Sequence, residues 1–299
     1  MDWIASTIGD DLFRRLATEL PGTELQSLLL EVMRERARAR TPADVLAQYQ
    51  RDRFTSPAAI DQRTALAIDT DLLAAATEFE ALELSPVTPL GTSSAMAPTD
   101  QNRVLSALRG TEVVSDPTNV FALECAHRLR TTPGPHHLAT SQRVVRAQPV
   151  PKQPGFAQHF RLFALASGGN ETRDHGFTAD TLALHIRTLL AGLDLLEQHG
   201  YAFGARRIDL LATEPRAELA DRIATSLPCP VERKLLEHAY YSGGVRFMLW
   251  VTTPDGEQIP LGDGGTFDWL TKLLSNRRAV FVASGLGAQL VAIRFRRAV

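Results

Sequence analysis

The sequence has little cysteine, no long apolar run and no strong excess of either charge, and each shortage narrows what the protein can be. Cys125 and Cys229 are the only two cysteines in 299 residues. They match no metal-ligand spacing and cannot build a disulfide framework, which points to a reduced, cytoplasmic setting. No apolar stretch approaches the roughly 18 residues that a membrane span requires. The N-terminus carries Asp10 and Asp11 and no basic segment ahead of an apolar one, so it does not read as a signal peptide. A formal net charge of −2 offers no overall basic coat for nucleic acid or an anionic membrane. Familiar catalytic signatures are missing too: there is no Gly-x-Ser-x-Gly elbow, no Walker loop and no His-Glu-x-x-His pattern. His136 and His137 are adjacent, so on a strand their side chains point apart and make a poor chelate. No metal is expected.

What remains is an ordinary globular composition, 44% hydrophobic and 22% charged, in a chain long enough for a full core. Residues 1–55 read as helices only. Leu12, Leu16 and Leu20, then Leu25, Leu28, Leu29, Val32 and Met33, recur at helical spacing. Arg34, Arg36, Arg38 and Arg40 crowd the end of that second run, as a solvated face or a basic patch. Thr41-Pro42 and Ser56-Pro57 each pair a cap residue with proline at the first helical position, which predicts two helix starts.

Beyond residue 55 the pattern becomes mixed. A helix is expected over 57–77, an extended edge over 79–86, a loop over 88–103 and a short strand over 112–115. A helix then runs to Arg130, and His137–Arg146 with Phe160–Ala166 alternates as a hairpin. A long helix from Thr178 to His199 is closed by Gly200. Ile208–Ala212 is strand-like, and 214–226 and 231–238 read as helices. A second hairpin covers 245–252 and 258–261 around Pro254-Asp255-Gly256. Residues 262–265 then lead into a helix over 267–275, and Ala279–Ala283 is a last buried strand. Hairpins interleaved with helices predict an α+β layer fold: a mostly antiparallel sheet flanked by helices, with the helices on one face.

Several segments could carry chemistry. Ser115-Asp116-Pro117-Thr118 puts an acid and a hydroxyl at a helix start, where they cap backbone N–H groups or hold a cation. Arg143 and Arg146, with Gln148 and Gln158, flank a loop that leads to His159-Phe160-Arg161. A guanidinium there suits phosphate or carboxylate because its planar fork pairs bidentately, although a surface arginine on a strand reads the same way. Tyr240-Tyr241-Ser242-Gly243 precedes a hairpin strand. Gly262-Asp263-Gly264-Gly265-Thr266-Phe267-Asp268 and Ser284-Gly285-Leu286-Gly287-Ala288-Gln289 are glycine runs, in which backbone can approach a ligand closely. Cys125, on a helical apolar face, reads as core.

Taken in order over residues 57–299, these segments resemble the catalytic domain of histidyl-tRNA synthetase and its paralogue, the regulatory subunit of ATP phosphoribosyltransferase. Both have the class II aminoacyl-tRNA synthetase fold. The resemblance implies that Asp116 and Thr118 contact an amino-acid ammonium group and that Arg146 clamps an α-phosphate. It also implies that Tyr240 and Tyr241 shape an amino-acid pocket, with Gly264, Gly265, Asp268, Gly285 and Gly287 kept around it. Departures are as informative. Gln148 stands where the family has an acid, and Leu236 and Ala239 stand where it has a catalytic arginine and an aspartate. Thr266 and Phe267 replace an arginine and a tyrosine. Ala288 and Gln289 replace the acid and the arginine that neutralises the nucleotide.

A helical segment over 1–55 and a class II-like domain over 56–299 are therefore expected, with no anticodon-binding domain. The function implied is that of a histidyl-tRNA synthetase paralogue that is not an active tRNA ligase. It would bind an amino acid or related small molecule in a regulatory or accessory role. The alternative is an adenylate-forming enzyme that activates a carboxylic acid with ATP and Mg²⁺. A homodimer and a partner enzyme subunit are implied, and tRNA and membrane are not.

Overall fold

The computed structural model describes residues 2–149 and 156–297, so the tip of the first expected hairpin, over 150–155, lies outside the described residues. The chain opens with α1 (Asp2–Ile8), α2 (Asp10–Arg14), a π turn over Arg15–Glu19, α3 (Gly22–Arg38) and α4 (Pro42–Arg51). Thr41 caps α4 as expected, in a reciprocal box with Asp44. Arg34 and Arg38 pair with Glu31 and Glu35 on the solvent side of α3. No residue of α2, α3 or α4 is buried.

Ser56-Pro57 starts no helix. Residues 57–61 stay irregular, and α5 (Gln62–Ala75) begins where the Asp61 side chain accepts from the Thr64 N–H. Next come β1 (Glu80–Ala81), β2 (Val87–Pro89), α6 (Thr92–Met96), β3 (Ser106–Ala107) and β4 (Thr111–Val113). The expected loop over 88–103 thus holds a short helix and the end of a strand. Small, polar Thr92, Ser93 and Ser94 supply hydrogen bonds that a sequence pattern does not display.

The rest of the chain runs α7 (Pro117–Thr131), β5 (His136–Val145), β6 (His159–Asn170), α8 (Gly176–Gln198), β7 (Arg206–Ala212) and α9 (Ala217–Thr225). It continues with β8 (Val231–Leu235), β9 (Val245–Thr252), β10 (Gln258–Phe267), α10 (Trp269–Leu274), β11 (Ala279–Leu286) and α11 (Ala288–Arg294). Gly200, at φ +95, ends α8 in the left-handed conformation that glycine tolerates. Residues 231–235 are strand rather than helix. They lie parallel to β7 at the sheet edge, and α9 provides the crossover that a parallel pair needs.

Eight strands form one sheet in the order β1-β5-β6-β11-β10-β9-β7-β8. Every inner pairing is antiparallel, and only the two edge strands, β1 and β8, pair parallel. Helices cover both faces, not one. Leu72 of α5, Leu182, Ile186 and Leu189 of α8 and Val291 of α11 pack on Phe163, Leu165, Phe247 and Val282. On the opposite face Phe121 and Cys125 of α7 and Trp269 and Leu270 of α10 pack on Leu138, Ala166 and Phe281. Cys125 is core, and burial pushes its thiol up to about 12. This second face is only half covered. Between α7 and the β9–β10 hairpin it stays open.

Candidate functional site

The open part of the sheet is a cleft made of two adjoining cavities of about 270 and 310 Å³, which share Asp116, Arg146, Tyr240, Tyr241 and Asp263. Each element delivers its residue for a local reason. Asp116 stands at the start of α7 as its cap, and Oδ1 accepts from the Thr118 N–H at 3.0 Å and hydroxyl at 2.8 Å. That leaves Oδ2 for Arg146, 3.4 Å from its Nη2. One side chain thus both caps α7 and lines the cleft. Arg146 leaves the end of β5, donates from Nε to the Ser115 carbonyl at 3.0 Å and lies over the Phe160 ring at 5.0 Å.

The opposite wall contains a pair that the sequence reading missed. Arg246 of β9 lies over the Tyr241 ring at 4.8 Å and pairs with Asp263 of β10 at 3.0 Å. The Tyr241 hydroxyl donates to the same Asp263 oxygen at 2.5 Å. Register explains the grouping: Gly265 faces Arg246 and Asp263 faces Met248 across the β9–β10 ladder. Alternate residues share a face. Arg246 was hidden in Val-Arg-Phe-Met-Leu-Trp-Val-Thr, where a polar residue on an alternating strand looks like an ordinary solvent-facing one. Asp263 stands in a glycine run that the sequence places ahead of a helix, whereas residues 262–265 lie inside β10.

Both arginines spend one amino group on an aspartate, while Nη1 of each has no hydrogen-bond partner among the described residues. Burial, with the Asp116 and Asp263 charges behind it, pushes the Tyr240 phenol well above its ordinary value, and burial and Asp263 do the same to Tyr241. Both phenols therefore stay neutral. The cleft offers two fixed cations, two carboxylates and apolar ring faces within one concavity.

The remaining expected residues distribute as follows. Thr118, Gly264, Gly285 and Gly287 line the first cavity and Gln148 lines the second. Gly265 underlies Tyr241 without lining either. Asp268 lies apart from the cleft: it accepts from the Ser242 hydroxyl at 2.7 Å and pairs with Lys272. Gln289 is 3% exposed, and its side-chain oxygen accepts from Arg143 at 3.3 Å. It borders a third, mostly apolar cavity of about 210 Å³, with Phe156, Phe160 and Leu290. Leu236, at the position where the resemblance calls for an arginine, is buried in the core. Among the described residues no group of three or more His, Cys, Asp or Glu could hold a metal ion. Among the described residues no helix is long and apolar enough to cross a membrane.

The floor behind Asp116 is anchored by Glu112, which has no exposed surface. Burial pushes its carboxyl up, but hydrogen bonds from Gln101, the Ser93 and Gly91 N–H groups and the Ser93 hydroxyl outweigh that and hold it below the usual range. A depressed folded-state pKa means that this stabilisation is complete above the unfolded value, near 4.3, and lost as pH falls through the folded one. Urea unfolding between about pH 3 and pH 5 should show stability falling with acidification. Glu112→Gln should flatten that slope; an unchanged slope in the variant would rule out Glu112 as its source.

No family model matches the chain, and no curated protein matches it in sequence. Solved structures do match. An ATP phosphoribosyltransferase regulatory subunit/histidyl-tRNA synthetase from Bacillus halodurans superposes with a TM-score of 0.58 at 14% identity, over 80% of this chain and 81% of that one. A histidine–tRNA ligase subunit from Alicyclobacillus acidocaldarius gives 0.57 at 13% identity, over 79% and 94%. A putative threonyl-tRNA synthetase from Aeropyrum pernix gives 0.58 at 14%, over 77% of this chain and 58% of that one. The chain has the class II aminoacyl-tRNA synthetase fold. On this class II fold the cleft is walled by part of the set that the sequence motifs singled out, together with Arg246 and Asp263, while Gly265, Asp268 and Gln289 lie outside it.

Proposed function

We propose that the class II-like domain, over residues 56–299, binds a small zwitterion, an amino acid or close relative, in a regulatory or accessory role. One observation carries this reading: two arginine–aspartate pairs, Arg146–Asp116 and Arg246–Asp263, open onto a single cleft between neutral tyrosines. A carboxylate can take the unpartnered Nη1 groups while an ammonium group lies against the aspartates, so both ligand charges meet complementary partners. Gln289 supports a role without nucleotide chemistry, because a neutral, hydrogen-bonded amide brings no charge to a triphosphate. The bacterial neighbour described as a regulatory subunit supports a partner enzyme subunit, and a homodimer belongs to the same reading.

Isothermal titration with histidine and a panel of other L-amino acids, then with ATP·Mg²⁺, tests it. An amino acid should bind with Kd of roughly 1 mM or tighter and ATP should give no heat. Tight ATP·Mg²⁺ binding with pyrophosphate exchange would overturn the reading, as would silence from the whole panel.

The second reading, activation of a carboxylic acid with ATP and Mg²⁺, rests on Arg146 lying over Phe160 beside the apolar third cavity. An aromatic face, an apolar wall and a guanidinium suit a base and its phosphates. The same titration decides between the two.

A further inference from the structure

On the helix-covered face four side chains form a hydrogen-bonded chain, and its Ser284 end borders the cleft. His137 Nδ1 lies 2.7 Å from Ser167 Oγ, Ser167 Oγ lies 2.9 Å from His185 Nε2, and His185 Nδ1 lies 2.9 Å from Ser284 Oγ. His185 has no exposed surface, and burial pushes its imidazole down to about 3. It is neutral, with one N–H and one lone pair.

The direction of the chain follows from proton counting. The Ser284 hydroxyl is buried and has no other partner among the described residues, so its proton goes to His185 Nδ1. His185 then carries its proton on Nε2 and donates to Ser167. Ser167 has its own proton left for His137 Nδ1, so His137 must carry its proton on Nε2. Nε2 has no hydrogen-bond partner among the described residues, and His137 lines a cavity of about 330 Å³ between β5 and α8. That cavity shares no lining residue with the cleft. A buried relay of three side chains therefore points one N–H donor into an open cavity.

The other charged groups there are Arg187 and Asp180 on α8 and Glu78 ahead of β1. None of the three makes an ion pair among the described residues, whereas Arg206, Arg207 and Arg246 all do. His137 Nε2–H and Arg187 form a donor side suited to a carboxylate. Two carboxylates against one guanidinium would repel a bare polyanion such as phosphate, and they suit a ligand with a cationic arm.

We propose that this cavity is a second binding site, for a small zwitterion such as a free amino acid, with its carboxylate on His137 and Arg187 and its ammonium group toward Glu78 and Asp180. Ser167 and His185 are positioning residues that fix the tautomer of His137. Protonating His137 would set an N–H against the Ser167 donor and reverse the relay. Burial opposes that change, as does the charge of neighbouring His136, while Glu78 favours it.

The test uses full-length protein labelled with ¹⁵N at histidine, with His137 assigned through His137→Gln. Long-range ¹H–¹⁵N spectra at neutral pH should show the Nε2–H tautomer. Titration with L-amino acids to about 10 mM should shift the His137 signals, and inorganic phosphate should not. Arg187→Gln should weaken the response more than about tenfold. Ser167→Ala should let both tautomers appear, a readout that a purely packing role would not move. Arg246→Gln, in the cleft, should leave the His137 response unchanged, so failure of the cleft reading and failure of this one are distinguishable. An Nδ1–H tautomer, silence from every amino acid or an equal response to phosphate would each overturn the proposal.

Discussion

Alanine at Gly265 is expected to cost the protein about 3 kcal/mol or more of stability, at the upper end for overpacking. A Cβ at this position would lie 2.5 Å from Tyr241 Cδ1 and closer still to the Val245 carbonyl oxygen. The tyrosine ring can shift only by abandoning its hydrogen bond to Asp263 and its contact with Arg246. The carbonyl belongs to the neighbouring strand and cannot shift without opening the β9–β10 ladder. Differential scanning calorimetry should show Tm lowered by roughly 6–12 °C for a domain of this size. Gly285→Ala is the control: its Cβ meets only Leu162 side-chain atoms, at 3.4 Å and beyond. If the two variants melt together, the close approach at Gly265 does not set the cost.

Arg246→Ala should weaken amino-acid binding in the cleft by about 100-fold while the fold stays intact. The Asp263 side of the pair is 44% exposed, so solvent screens the charge left behind, and the loss comes from the ligand's own charge-assisted hydrogen bond to Arg246, about 1.5–3 kcal/mol. Here Asp263 would keep only the Tyr241 hydroxyl. Asp263→Asn should be costly alone and add little on top of Arg246→Ala, because the two share one interaction. Titration calorimetry on the single and double variants measures the coupling. Wild-type affinity in Arg246→Ala would remove the second arginine from the site and leave Arg146 as the only cation that the ligand uses.

How far the sequence disclosed this arrangement depends on the type of signal. Capping chemistry is local, so Thr41-Pro42 and Asp116-Pro117 read true: a short polar side chain, a proline and three following N–H groups suffice. Ser56-Pro57 has the same form but fails, because the Ser56 carbonyl is bound by His159 on β6, a contact 103 residues away. Residues 231–235 read as helix because Glu232, Arg233 and Lys234 suit a solvent-facing turn. The edge of a sheet also leaves them exposed, and only pairing with β7 distinguishes the two. Glycines 262, 264 and 265 read as a run leading into a helix. They are strand, and their small size answers to Leu286, Ser284 and Tyr241 across or above them. The motifs led to most of the residues that line the cleft, but also to Gly265, Asp268 and Gln289, which do not. Arg246 carries no motif and Asp263 is only the odd residue of a glycine run, and their partnership exists only through the β9–β10 register.

The helices α2, α3 and α4 bury no residue, and Leu28, Val32, Met33, Val45 and Leu46 on them are exposed. Helices of this length gain little from propensity alone and normally draw their stability from packing. Their free energy of local opening is consequently small and separate from that of the sheet. Should an amino acid bind in the cleft as proposed, the amides of β9, β10 and α7 are expected to gain protection from exchange, because binding stabilises the unit that contains them. The first fifty residues are expected to gain none of that protection, and a break in exchange rates near residue 55 would mark a boundary between two energetic units.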